Sequence, residues 1–108
     1  MYSGSLALNG WPMAHYAVLV TWTEEGIRTV RKVPERTERF RAAVEKAGGK
    51  VLSFLHTMGT YDAVVAVELP NDDVANELLL RMGAEGFART TTLRGWSTAE
   101  FAKLAERL

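Results

Sequence analysis

The chain has 108 residues, which suffices for one packed domain and is too short for two. Its 13 basic and 13 acidic side chains cancel, so no net charge draws it to nucleic acid or to anionic lipid. It contains no cysteine, which excludes a disulfide framework, thiolate metal ligands and a cysteine nucleophile. A reducing, cytoplasmic location is therefore the expectation.

The first twelve residues have neither the basic segment nor the long apolar run of a signal peptide. No segment of the chain approaches the roughly 20 consecutive apolar residues that a membrane span needs. Met13 stands directly before the first strand-like run. We predict that residues 1–12 are an extension outside the core, and that residues 13–108 form a single domain without a membrane partner.

The first half of the chain predicts a strand followed by a broken helix. Residues 15–22 (HYAVLVTW) are rich in β-branched and aromatic residues, as in a strand. Thr23 then offers a helix N-cap and is followed by two glutamates. Gly26 and Pro34 interrupt this region, so we expect a short helical piece and then a longer helix that ends at glycines 48–49.

The second half predicts three more strands and two more helices. Residues 50–58 and 61–69 are strand-like, and the Gly59-Thr60 pair between them predicts a tight hairpin. Residues 87–96 predict strand four. A helix after Pro70 and a short C-terminal helix after Ser97 have apolar positions at helical spacing, namely Val74, Leu78 and Met82 in the first and Phe101, Leu104 and Leu108 in the second.

This order is βαββαβ plus a C-terminal helix, which predicts an α+β, ferredoxin-like fold. Its antiparallel sheet has the order 4-1-3-2, with helices on one face. The two most apolar runs, strands one and three, should be central. Both are apolar on both faces, as Val64 and Ala66 show for strand three. Two helices cover only one face, so we expect a second copy of the chain to cover the other in a homodimer.

Three short segments in the right order resemble the GYD-domain family, which is named for a Gly-x-Tyr-Asp signature. That signature stands here as Gly59-Thr60-Tyr61-Asp62. The other two segments are residues 23–28 (TEEGIR) and residues 89–95 (RTTTLRG), and the similarity covers about residues 14–104. The N-terminal extension departs from the family pattern. The resemblance implies a dimeric α+β barrel type of assembly and brings no established reaction.

Strands one and two end at the same end of the sheet at which strands three and four begin. Several candidate ligand-binding side chains therefore lie together at this end. A histidine beside a carboxylate and a phenol can act as a general acid–base group. The plainer interpretation, which we favour, is that Tyr61 anchors the core, Asp62 caps or pairs with an arginine, and His56 is a polar edge residue. The predicted site consists of Trp22, His56, Tyr61, Asp62 and Arg89.

Other kinds of site have little support in the sequence. The motifs of phosphate loops, zinc hydrolases, hydrolase elbows and dinucleotide sites are absent. The two histidines, His15 and His56, fall at opposite strand ends, so we predict neither a metal site nor a cofactor. Strand three lacks the basic and aromatic residues with which RNA-binding domains of this strand order stack bases, so we predict no nucleic-acid partner.

The expected function is therefore that of a small-molecule-binding or regulatory homo-oligomer. The alternative is a cofactor-independent enzyme of the monooxygenase or isomerase type on a dimeric α+β barrel. The sequence contains no catalytic motif, which favours the first. A deep pocket with His56 and Asp62 pointing inward would favour the enzyme.

Overall fold

A computed structural model describes residues 5–108 of the chain. Four strands and four helices follow one another in the predicted order, with a short 3-10 turn at Val30–Lys32. The strands are β1 (Ala14–Trp22), β2 (Lys50–His56), β3 (Ala63–Leu69) and β4 (Ala88–Gly95). The helices are α1 (Glu24–Arg28), α2 (Val33–Lys46), α3 (Asp72–Ala84) and α4 (Thr98–Ala105).

The four strands form one antiparallel sheet of order β2-β3-β1-β4, which confirms the predicted ferredoxin-like arrangement. Ala63 at the start of β3 pairs with Val20 of β1 on one side and with His56 of β2 on the other. Trp22 pairs with Ala88 at the start of β4. The ends of β1 and β2 therefore lie beside the starts of β3 and β4, as the strand directions require.

Alternation along the central strands places one register beneath the helices. The hydrophobic core lies between this face and the helices. Helix α2 contributes Phe40 and Val44 to the core, and α3 contributes Ala75. Val44 has no exposed surface, and Leu78 and Met82 pack against the core as the apolar stripe of α3 predicts. The strand residues of this face include Tyr16, Val18, Val20, Ala63, Val65, Val67 and Leu69.

Local side-chain bonds fix where the helices begin. Thr23 caps α1 by accepting a hydrogen bond from the Gly26 amide, and its hydroxyl donates to the Gly86 carbonyl. Pro34 lies in the first turn of α2, where its missing N–H removes no helical hydrogen bond. Ser97 and Glu100 form a reciprocal capping box at the start of α4.

The connection between β2 and β3 differs from the prediction. It is a six-residue loop, residues 57–62, and the predicted two-residue hairpin is wrong. The Thr57 amide and hydroxyl donate to the carbonyls of Asp62 and Tyr61, while the Asp62 amide turns away to the Val20 carbonyl. These bonds replace the ladder that a tight hairpin would have continued. Gly59 within the loop has φ +105°, a conformation that glycine adopts at little cost.

Among residues 5–108, the second face of the sheet is covered at one end only. Ala17, Leu19, Val64 and Ala66 are half-buried there, while Leu55 and Leu93 are 64% and 52% exposed. At the covered end the N-terminal segment and α4 meet the sheet through the polar residues Ser5, His15, Glu68 and Glu100. We call the remaining apolar surface the open face. It is formed by Ala17, Leu19, Leu55, Val64, Ala66 and Leu93.

The N-terminal extension makes a small bridge of its own between Leu6 and Pro12, and Met13 after it is buried. Residues 1–4 of the predicted extension lie outside the described residues. That residues 1–12 lie outside the core stays a prediction. None of the helices within residues 5–108 is both long and apolar enough to cross a bilayer.

Candidate ligand-binding site

A cavity of about 470 Å³ lies between the helices α2 and α3 and the face of the sheet that these helices cover. This volume falls within the usual range for small-molecule pockets, roughly 300–1,000 Å³. The space exists because several residues that line it have short side chains. One belongs to α2, one caps its C-terminal end and two belong to the sheet: Ala43, Ala47, Ala63 and Ala88.

Apolar side chains form most of the wall of this cavity. The rings of Phe40 and Phe54 meet edge to face, with centroids 6.2 Å apart. The imidazole of His56, at the exposed end of β2, lies against Phe54 with a centroid distance of 4.9 Å. Three further apolar residues of the wall come from β3 and α3: Val65, Leu78 and Met82.

Arg36, in the first turn of α2, brings a half-buried guanidinium to the cavity. It donates to the Gly26 carbonyl and to the Thr29 hydroxyl, each at 3.0 Å. Its central carbon lies 4.6 Å from the centroid of the Phe87 ring, a cation–π distance. All of these partners are neutral. No carboxylate of residues 5–108 forms an ion pair with Arg36.

The other charged groups around the cavity are largely paired. Arg39 lies 3.7 Å from the carboxylate of Glu85, which joins α2 to the end of α3. Arg81 lies 2.7 Å from Glu77 one turn earlier on α3. Lys46 stands exposed at the end of α2. The lining therefore carries a net positive charge, concentrated on Arg36 and Lys46.

Two of the five predicted site residues, Trp22 and His56, line this cavity, and the other three do not. The Asp62 carboxylate accepts a hydrogen bond of 2.9 Å from the Trp22 amide, which ties the 57–62 loop to the end of β1. Tyr61 is half-buried in the same loop. Arg89 is exposed and lines a different groove, between α3 and β4.

The sequence of this protein matches the family model of the GYD domain over residues 16–105. The chain belongs to the GYD domain family. It is also similar to a protein of Thermus thermophilus named glutamine synthetase and cystathionine beta-lyase binding protein. The two chains are 29% identical over 89 residues, which cover 82% of this chain and 94% of that relative.

A second groove of this GYD domain, between α3 and β4, contains a satisfied polar network. The Tyr16 hydroxyl donates to the Asp72 carboxylate at 2.5 Å, and Arg94 lies 3.5 Å from the same carboxylate. Burial, and then the hydrogen bond to Asp72, raise the pKa of Tyr16 far above its usual value. Tyr16 therefore stays a neutral phenol, and these contacts fix the start of α3 to the sheet.

A buried carboxylate, Glu68, lies at the opposite end of the sheet from the cavity residue His56. One of its oxygens accepts a hydrogen bond from the Ser5 hydroxyl at 2.8 Å, and the other lies 3.8 Å from His15 Nε2. Burial raises the pKa of Glu68. Burial acts in the same direction on Glu100, but hydrogen bonds from Ser97 and His15 outweigh it and lower the pKa of Glu100.

Sequence reasoning missed Arg36 and Glu68. Arg36 lies in a basic stretch that is typical of a solvated helix face, and only the packing of Phe87 beneath it distinguishes it. For Glu68 there was a signal, because it is a charged residue within the apolar run of β3 and pairs with His15 in the register. Within residues 5–108, no group of three His, Cys, Asp or Glu side chains could hold a metal ion.

Proposed function

We propose that this GYD-domain protein is a binding protein with a regulatory role, which takes a small molecule into the cavity beneath α2 and α3. The observation that carries the proposal is the cavity itself. Its walls are mostly apolar and aromatic, and its polar groups, Arg36 and His56 among them, are half-buried or exposed. Apolar walls with a few orienting polar groups are typical of ligand pockets.

The contacts of Asp62 favour binding over acid–base catalysis by the predicted trio. A general acid–base pair needs a carboxylate within hydrogen-bond reach of the imidazole. The Asp62 carboxylate instead accepts from the Trp22 amide, and His56 contacts the ring of Phe54. Among the described residues no carboxylate hydrogen-bonds His56, so this imidazole is better suited to orienting a ligand.

The relative from Thermus thermophilus supports a second element of the proposal. Its name states that it binds two enzymes, glutamine synthetase and cystathionine beta-lyase. We propose that this chain likewise contacts an enzyme, and that occupation of the cavity alters this contact. Calorimetric titration with each purified enzyme, with and without cavity ligand, measures both affinities.

We further propose that the working unit is a homodimer joined through the open face. The open face presents Leu55 and Leu93, both more than half exposed, beside the half-buried Leu19 and Val64, and exposed apolar patches of this kind often mark protein–protein interfaces. A second copy, pairing face to face, buries on the order of 800 Å² per partner, as stable interfaces do. This leaves the cavity free, because the cavity lies on the other side of the sheet.

Native mass spectrometry tests the binding function. Freshly purified protein is incubated with a small-molecule extract of the source cells, desalted and sprayed under non-denaturing conditions. Two tryptophan variants of adjacent α2 residues serve as a matched pair. Both alanines are exposed, but only Ala43 lines the cavity, so we expect Ala43→Trp to obstruct it and Ala42→Trp to leave it open.

We expect a small-molecule adduct on the wild type and on Ala42→Trp, and its loss in Ala43→Trp. An adduct that is equally abundant in Ala43→Trp would place binding elsewhere. A wild type that retains no adduct at all from the extract would contradict the proposed function.

A further inference from the structure

We infer that the cavity is selective for ligands with an apolar body and one anionic group, such as a carboxylate on an alkyl or arylalkyl chain, and that Arg36 binds the anionic group. This rests on the proposed binding function and adds the chemical class of the ligand. The geometry of Arg36 and the nature of the walls carry the inference.

The charge of Arg36 is available to a ligand. Its guanidinium carries five N–H donors. Nη1 donates to Thr29, at 3.0 Å to the hydroxyl and 3.4 Å to the carbonyl, and Nη2 donates to the Gly26 carbonyl. The Nε–H and the second Nη2–H donate to no acceptor within residues 5–108. An anionic group can accept from these two donors, and carboxylates are well suited to hydrogen bonds from a guanidinium.

The guanidinium is also held in place before a ligand arrives. Phe87 lies under it, and Gly26 and Thr29 fix its orientation from α1 and the turn that follows. Because these partners are neutral, they orient the group without cancelling its charge. Half-burial beside aromatic and aliphatic walls lowers the local dielectric and strengthens its attraction for an anion. A preorganised donor also loses less side-chain entropy when a ligand binds.

The other cations of the lining are less suited to this role. Arg39 and Arg81 each already have a glutamate partner. Lys46 is exposed, and water screens it. It also lies ten residues after Arg36 on the same helix, or about 15 Å along the axis at 1.5 Å per residue.

The walls next to Arg36 determine the rest of the ligand. Phe40, Phe54 and Leu78 offer contacts to carbon chains and rings, and Met82 adapts its shape to irregular apolar groups. A ligand that is polar over its whole length would leave its hydrogen-bonding groups unsatisfied against these walls. An apolar chain with a terminal carboxylate satisfies both the walls and Arg36.

The test compares three probes with the same chain and different heads: octanoate, 1-octanol and octylamine. Dissociation constants are measured calorimetrically at pH 7 and low salt. We expect octanoate to bind about tenfold or more tightly than 1-octanol, the difference that a hydrogen bond to a charged group supplies. We expect octylamine to bind most weakly, because Arg36 repels its ammonium group.

Two substitutions on α2 assign the selectivity. In Arg36→Gln the affinity for octanoate should fall to that for 1-octanol, whereas Arg39→Gln, which removes an arginine that has a glutamate partner, should retain the preference. Persistence of the preference in Arg36→Gln would overturn the role of Arg36. If Arg36→Gln does not fold, the three probes on the wild type still decide the ligand class.

Failure of the inference and failure of the proposed function give different results. Equal binding of octanoate and 1-octanol by the wild type, abolished by Ala43→Trp, would overturn the anion selectivity and leave the cavity as a binding site. Absence of binding by all three probes would overturn the inference. Retention of an extract adduct by the cavity, measured separately, decides the proposed function.

Discussion

Gly26 is a position where a single added methyl group should strongly disturb the packing, and Gly26→Ala tests how closely α1 packs against Phe87. A Cβ at this buried position would lie 2.0 Å from the Phe87 carbonyl oxygen and 3.2 Å from Trp22 Cβ. The first contact is with backbone, and that carbonyl already accepts a hydrogen bond from the Thr23 amide at 3.0 Å. Because Thr23 caps α1 and Phe87 directly precedes β4, the two elements cannot separate without breaking this bond.

The expected loss of stability follows from two opposing effects. Overpacking costs roughly 1–3 kcal/mol and occasionally more, and a contact of 2.0 Å with backbone belongs at the upper end. Alanine is favoured over glycine inside a helix by about 1 kcal/mol. We therefore expect a net loss of about 2 kcal/mol in the free energy of unfolding of Gly26→Ala. In a domain of this size that lowers the melting temperature by roughly 8–16 °C.

The matched control is Gly83→Ala. Gly83 also lies in a helix, α3, and a Cβ there meets nothing within 4 Å. This variant should gain about 1 kcal/mol from helix propensity alone. Thermal and urea unfolding followed by circular dichroism measure both variants. A Gly26→Ala protein that melts with or above the wild type, as Gly83→Ala should, would refute the close packing of α1 on β4.

The same substitution should affect ligand selectivity. The Gly26 carbonyl and the Phe87 ring both hold the Arg36 guanidinium. A shift between α1 and residue 87 moves these two anchors relative to each other. Folded Gly26→Ala should therefore show a smaller ratio of octanoate to 1-octanol affinity than the wild type does. In Gly83→Ala this ratio should equal that of the wild type.

Three further predictions concern other parts of the molecule. Val64→Asp places a charge on the open face, so light scattering should show the wild type at twice the chain mass of 12.0 kDa and the variant as a monomer; a monomeric wild type would contradict the homodimer. Gly59→Val should cost about 1–3 kcal/mol because φ is +105° there, and an unchanged melt would disprove this. Burial raises the pKa of Glu68, so its protonated form contributes stability that is present below about pH 4.5 and is lost as the pH rises through the folded-state pKa. Glu68→Gln should remove this loss, and the stability difference between the two proteins should grow from about pH 4 to pH 7; a constant difference would contradict the effect of burial.

The sequence predicted the sheet because alternation and strand order are local patterns with one consistent topology. Val65 and Val67 lie beneath the helices, while Val64 and Ala66 lie on the opposite face, as the two apolar registers indicate. The length of the β2–β3 connection was not predictable in this way. It depends on hydrogen bonds that Thr57 makes through both its amide and its hydroxyl, which a two-residue hairpin signal does not reveal.

The candidate site was predicted only where it follows the ends of strands. Trp22 and His56 reached the cavity because they end β1 and β2 on the covered side of the sheet. Arg36 was not predicted, since its partners Gly26 and Phe87 belong to segments 10 and 51 residues away in the sequence. Glu68 stood out as a charged residue in an apolar run, but its burial depends on contacts with Ser5 and His15, which are distant in the sequence.

Chemical-shift mapping with octanoate tests most directly whether the cavity beneath α2 and α3 is a ligand site. Uniformly ¹⁵N-labelled protein is titrated with octanoate, and the amide shifts are followed residue by residue. We predict that the largest shifts occur around the cavity, at Val20, Phe54, His56 and Met82. Shifts that cluster instead at Thr92 and Arg94, in the groove between α3 and β4, or no shifts at saturating octanoate, would contradict the account.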